Sequence, residues 1–130
     1  MNRMRDDRPF LATIEQRSTG PRASVTVTVG RGDESYEGSS EGNADPGQRA
    51  RLVGEATLRA VEALSTNPVH YELTAVATTD LGPVRVALAQ VREDGWSDYL
   101  IGTSLVRDGD SASATAKAVL DALNRRIATG

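Results

Sequence analysis

Hydrophobic and polar residues alternate along this chain with a period that changes from two to about 3.6, and does so twice in the same order. Ala23 to Val29 is the cleanest stretch, with Val25, Val27 and Val29 on one face and Ser24, Thr26 and Thr28 on the other. That pattern predicts a strand with one buried face and one wet or polar face. Before it, Phe10 to Gln16 predicts a first strand, Leu11, Thr13 and Glu15 alternating against Phe10, Ala12 and Ile14. After it, the glycine-rich turn Gly30-Arg31-Gly32-Asp33 leads into a polar, weak third strand over Glu34 to Ser40. Glu41-Gly42-Asn43-Ala44-Asp45-Pro46 breaks the alternation and opens a helix, with Asp45 as N-cap and Pro46 at the first helical position. Val53, Ala56, Thr57, Ala60, Val61 and Leu64 make its apolar stripe, and Ser65-Thr66-Asn67-Pro68 stops it.

The second half repeats the order. Tyr71 to Thr78 predicts a strand with Tyr71, Leu73, Ala75 and Ala77 on one face. Pro83 to Arg92 is apolar on both faces through its middle, which predicts a central strand. Ser97 to Val106 predicts the third strand, and Arg107-Asp108-Gly109-Asp110 leads into a helix over Ser111 to Ile127. The stripe of that helix is Thr115, Ala116, Val119, Leu120, Leu123 and Ile127.

The halves also match in detail. Tyr36-Glu37-Gly38-Ser39-Ser40 parallels Leu100-Ile101-Gly102-Thr103-Ser104, and Gly20-Pro21 parallels Gly82-Pro83. Val61-Glu62-Ala63-Leu64 parallels Leu120-Asp121-Ala122-Leu123. A repeated unit implies a pseudo-two-fold axis. The expected fold is α+β, a two-layer sandwich of two pseudo-symmetric βββα units with antiparallel strands and two helices. Residues 1–8 read as a disordered lead-in, and residues 9–130 as one domain, with unit one at 9–66 and unit two at 67–130.

Composition narrows the chemistry. There is no cysteine, which removes disulfides, thiolate nucleophiles and cysteine-bound metals. His70 is the sole histidine: no His-x-x-His or carboxylate-His grouping completes a metal shell, no serine has a histidine plausibly paired with it, and no Gly-x-Ser-x-Gly elbow is present. No catalytic residue, metal site or cofactor is expected. Acidic residues outnumber Lys and Arg by 18 to 15, and aromatics are scarce, which argues against a nucleic-acid partner. No apolar run reaches the roughly 20 residues of a membrane span, so no membrane partner is expected. The charged start, Met1 to Arg8, has no apolar signal core behind it, and a cytoplasmic location is expected.

The glycine and serine clusters before the two helices read either as turn geometry or as a candidate ligand seat. Gly42, Asn43 and Ala44 are expected in one wall, and Gly102, Thr103 and Ser104 in the other. Backbone N–H groups at helix N-termini would take a carboxylate there.

In these stretches the chain resembles the C-terminal allosteric, dimerising domain of 2-isopropylmalate synthase and citramalate synthase. Ala114-Thr115-Ala116-Lys117-Ala118-Val119-Leu120-Asp121-Ala122-Leu123-Asn124 is similar to that family's final helix, Ala-x-Ala-Lys/Arg-Ala-Tyr-Leu-x-Ala-Leu-Asn. Ser40-Glu41-Gly42-Asn43-Ala44 is similar to its Gly-x-Gly-Asn-Gly. The resemblance covers nearly the whole chain from Phe10 and implies two βββα units, a homodimer, and leucine or isoleucine bound between the units; a small amino acid or keto acid is the ligand expected for this chain. It departs at Ser40 and Ala44, where the family has glycine, and at Val119, where an aromatic is usual. It also lacks the catalytic barrel that such synthases carry. What it implies is a free-standing, non-enzymatic regulatory module. The alternatives are a dimerisation or protein-interaction scaffold with a degenerate pocket, and a trans-acting subunit of a separate enzyme.

Overall fold

The computed structural model describes residues 8–65 and 69–129, with side chains through residue 124. The lead-in expected at residues 1–8 lies almost wholly outside the described residues, as do the helix-stopping residues 66–68. The elements are β1 (Phe10–Thr19), β2 (Arg22–Arg31), β3 (Glu34–Asn43), α1 (Pro46–Leu64), β4 (Tyr71–Leu81), β5 (Val84–Glu93), β6 (Leu100–Leu105) and α2 (Ser111–Thr129). Two separate antiparallel sheets form, ordered β1-β2-β3 and β4-β5-β6. The fold is therefore α+β, two βββα units. Each helix lies on its own sheet, the helices pack on each other, and each also touches the first strand of the other unit (α1 with β4, α2 with β1).

The core sits between the helices and the inner sheet faces. Val25, Val27 and Val29 of β2 and Ala87, Ala89 and Val91 of β5 are buried against Val53, Ala56, Ala60 and Val61 of α1 and Ala118, Val119, Ala122 and Leu123 of α2. Each fully buried valine or leucine contributes roughly 1.5–3 kcal/mol of transfer free energy. Two glycines set the distance between helix and sheet. A Cβ on Gly38 would lie 2.2 Å from the Ala60 nitrogen and 2.3 Å from the Ala56 oxygen. A Cβ on Gly102 would lie 2.0 Å from the Ala118 oxygen and 2.3 Å from the Ala122 nitrogen. Only a residue without a side chain lets helix backbone approach strand backbone this closely.

The repeat seen in the residues is a repeat in space, with one correction. Ala56 and Ala60 lie over Gly38 as Ala118 and Ala122 lie over Gly102, so Val61 and Glu62 correspond to Leu123 and Asn124, three residues on from the expected match with Leu120 and Asp121. The glycines of the two hairpin turns, Gly20 (φ 58°) and Gly82 (φ 61°), take the same left-handed conformation. β1 shifts register between Leu11 and Thr13, and β4 shifts between Leu73 and Ala75, at equivalent positions. These bulges correct the expected face assignments. Each inserts one unpaired residue, so the side chains beyond it change sides. In β4, Tyr71 and Leu73 face the core, but Val76 follows them inward, and Ala75 and Ala77 are exposed on the outer face. In β1, Leu11 and Ile14 both turn inward and Thr13 turns out, against strict alternation.

Element ends also move. β3 runs on through Gly42 and Asn43, which pair with Ala23 and Arg22, so these residues close the sheet and do not open the helix. Asp45 is the N-cap as expected, accepting from the Gly47 N–H at 3.3 Å, with Pro46 beginning the helix. β5 is the central strand of its sheet, as its two apolar faces predicted. β6 is shorter than its apolar run, because Gly95 (φ 88°) and the exposed loop after it delay pairing until Leu100.

Candidate functional site

The two units leave a cavity of about 460 Å³ where they meet. Its lining comes in equivalent pairs, one from each unit: Gln16 with Thr78, Ala50 with Ala112, Val53 with Thr115, and Arg49 with Ser111. Members of each pair stand 62 positions apart, the interval that separates Gly20 from Gly82. Pro46 and the Gly109-Asp110 turn complete the wall. The first turns of both helices therefore face one space, together with inward residues of β1 and β4.

The bulges help build this site. By switching the inward phase of both first strands, they turn Gln16 and Thr78 toward the helices, where both line the cavity. The Arg49 guanidinium (Nη1) donates to Gln16 Oε1 at 3.3 Å, a bond between two lining residues. Asp110 caps α2: its Oδ1 accepts from the Ser113 N–H at 3.0 Å and its Oδ2 from the Ser113 hydroxyl at 2.8 Å. These bonds, with the field of Lys117 adding to them, hold the Asp110 carboxyl below the usual aspartate range. The lining thus carries one cation, Arg49, and one anion, Asp110, over an apolar floor of Ala50, Val53 and Ala112.

The two seams beside the cavity differ. Between α1 and β4, Arg51 donates to the Leu73 carbonyl at 2.8 Å and Arg59 to the Tyr71 carbonyl at 3.0 Å. Glu62 accepts from the Tyr71 N–H at 2.8 Å and lies 3.2 Å from His70 Nδ1, which gives that histidine a structural partner. Between α2 and β1 a second hollow of about 370 Å³ opens, sharing Gln16, Asp110 and Ala112 with the first and bounded by Lys117. Ser113 and Lys117 stand there where α1 has Arg51 and Glu55, and neither has the reach and planar fork of Arg51.

The residues expected to form the seat stand elsewhere. Gly42 ends β3 against the Leu52 side chain, Asn43 pairs with Arg22, and the Ala44 N–H donates to the Pro21 carbonyl at 2.9 Å. Gly102 is buried under α2, the Thr103 N–H donates to Asp121 Oδ2 at 2.9 Å, and Ser104 pairs with Ala87. None of the six lines the cavity, and the two triplets are not brought together around it. Gly102 serves the close packing of α2 on β6, while a Cβ at Gly42 would meet only the Leu52 side chain. The positions that do converge, Gln16, Arg49, Thr78 and Ser111, sit one to four residues into the helices or well inside the first strands. Aligning the halves at the Gly-Pro turns was the signal that pairs them.

Among the described residues, no three His, Asp or Glu side chains gather as a metal-binding group. No described helix is long and apolar enough to cross a membrane. No known family model matches the chain, and no curated protein matches it.

Proposed function

We propose that this chain is a non-enzymatic binding module that takes a small branched-chain amino-acid-like zwitterion into the cavity between its units. The observation that carries this reading is the cavity itself. It is of small-ligand size, built from equivalent residues of both units, and lined by one guanidinium, one carboxylate and an apolar floor. Arg49 would take the ligand carboxylate, helped by the partial positive charge of the α1 N-terminus. Asp110 would face the ammonium. Ala50, Val53 and Ala112 leave room for an aliphatic side chain. The resemblance to the synthase regulatory domain supports the same ligand class.

Titration calorimetry against amino acids and the matching keto acids tests it. Branched-chain amino acids should release heat and raise the melting temperature, and keto acids, lacking the ammonium, should bind more weakly. Arg49→Ala should weaken binding by about tenfold or more, the worth of one charge-assisted hydrogen bond. No heat and no thermal shift with any of them would remove the reading. A second reading, an interaction scaffold without a ligand, gains from the Arg49–Gln16 bond, which already engages the cavity's cation. It calls for assembly with a silent ligand panel.

A further inference from the structure

The outer faces of the two sheets are built from equivalent positions and have opposite character. On unit one the outer rows are Thr13, Glu15, Arg17 and Thr19 on β1, Thr28, Thr26, Ser24 and Arg22 on β2, and Glu37, Ser39 and Glu41 on β3. All are polar and five are charged. Thr26 and Ser39 share a hydrogen bond of 3.0 Å across the strands, and Arg22 pairs with Glu41 at 3.9 Å. On unit two the same positions are Ala75, Ala77, Thr79 and Leu81 on β4, Gln90, Leu88, Val86 and Val84 on β5, and Ile101, Thr103 and Leu105 on β6. None is charged and eight are apolar. Leu81 is 72% exposed, Ile101 50% and Leu105 44%.

We propose that this outer face of β4-β5-β6 binds the same face of a second copy of the chain, sheet on sheet, about a two-fold axis running along β5. The shape of the face selects that partner. One edge row, on β6, is high, with Ile101 and Leu105. The opposite edge row, on β4, is low, with Ala75 and Ala77, and a hollow of about 180 Å³ lies between Ala75, Ala77, Leu88 and Ile101. A two-fold along the central strand lays the high row of each copy over the low row of the other, so the surface is complementary to itself. Pairing through the β6 edge is disfavoured, because Asp121 already takes the Thr103 N–H there. Three strands about 4.8 Å apart and seven positions about 3.3 Å apart project to roughly 320 Å² per copy. Both copies together cover about 650 Å² in flat projection, Leu81 and Val84 included, and side-chain relief adds to that, which places the contact among the weak, transient interfaces under about 1,200 Å². A contact this small is expected to be reversible, and its test runs from micromolar concentrations upward. It is independent of the cavity ligand.

Sedimentation velocity over a dilution series tests it. The chain should pass from dimer to monomer as it is diluted toward micromolar concentrations. Ile101→Glu with Leu105→Glu, which installs the residues unit one carries at the equivalent positions, should give a folded monomer throughout. Glu37→Lys on the other sheet should leave the dimer unchanged. Because the chain has no cysteine, Ala75→Cys and Ile101→Cys can be made separately and mixed with a short bis-maleimide. Mixed dimers should then form faster than either self-linked product. A monomer at all concentrations, a dimer surviving the double substitution, or cross-linking without preference for the mixed pair would each overturn the proposal.

Discussion

The inner and outer faces of the two sheets teach different things. Inside, the units are near copies: Gly38 and Gly102 admit their helices at the same point, valine and alanine rows face both helices, and both first strands bulge at the same place. Outside, Glu37 and Glu41 stand where unit two has Ile101 and Leu105. Close packing between backbone and backbone tolerates no side chain, so the inner faces are held to one solution. An outer face has no such constraint. There the hydrophobic effect acts only if something covers the surface, and unit two carries the residues that gain from being covered.

The largest test of the inner equivalence is Gly38→Ala and Gly102→Ala. Each added methyl meets helix backbone and has nowhere to move, so each variant should lose about 3 kcal/mol or more in urea denaturation. Gly42→Ala meets only the movable end of Leu52 and should cost far less. If Gly102→Ala were tolerated while Gly38→Ala were not, the two units would not be packed alike.

Next come the seams. Glu62 binds the Tyr71 N–H and Arg59 and is mostly buried, so Glu62→Gln should cost about 2 kcal/mol. Its counterpart Asn124 keeps a buried, unpartnered Oδ1, and Asn124→Ala should cost less than about 1 kcal/mol. Equal losses would mean that the α2–β1 seam is tied as firmly as the α1–β4 seam.

Exchanging outer residues, Glu37→Ile in one variant and Ile101→Glu in another, should leave monomer stability within about 0.5 kcal/mol, as expected for surface positions. The smallest effect concerns Asp110. Its carboxyl is held below the usual aspartate range, so its capping stability is present above that range and fades as pH falls through the lower folded value. Asp110→Asn keeps a capping side chain but should flatten this acid limb, by about 0.5 kcal/mol at most at so exposed a site. A wild-type acid limb unchanged in the variant would assign it to other carboxylates.

Much of this was legible in the residues. The βββα order followed from the period of the hydrophobic pattern, from Asp45-Pro46 at a helix start and from the Gly-Pro turns. The central place of β5 followed from its two apolar faces. What escaped was the bulge in β1 and β4. No residue there advertises it, since Ala12 and Thr74 are ordinary strand residues, yet it decides which alternation faces the core. With the phase mistaken at Ala75 and Ala77, the apolar outer face was hidden, and so was the inward turn of Gln16 and Thr78. The residues expected as a seat, Gly42-Asn43-Ala44 and Gly102-Thr103-Ser104, lie away from the cavity between the units for another reason. A glycine beside a helix can serve a ligand or a helix contact, and at Gly102 the distinction lies in the backbone of Ala118 and Ala122, which leaves no room for a Cβ.

Methyl NMR over a dilution series tests the contrast between the faces most directly. The resonances of Ile101, Leu105, Leu88 and Val86 should move with protein concentration, while those of Val25, Val27, Val29 and Val91 stay fixed. Outer-face methyls that hold still from micromolar concentrations upward, or core methyls that move with them, would contradict the account.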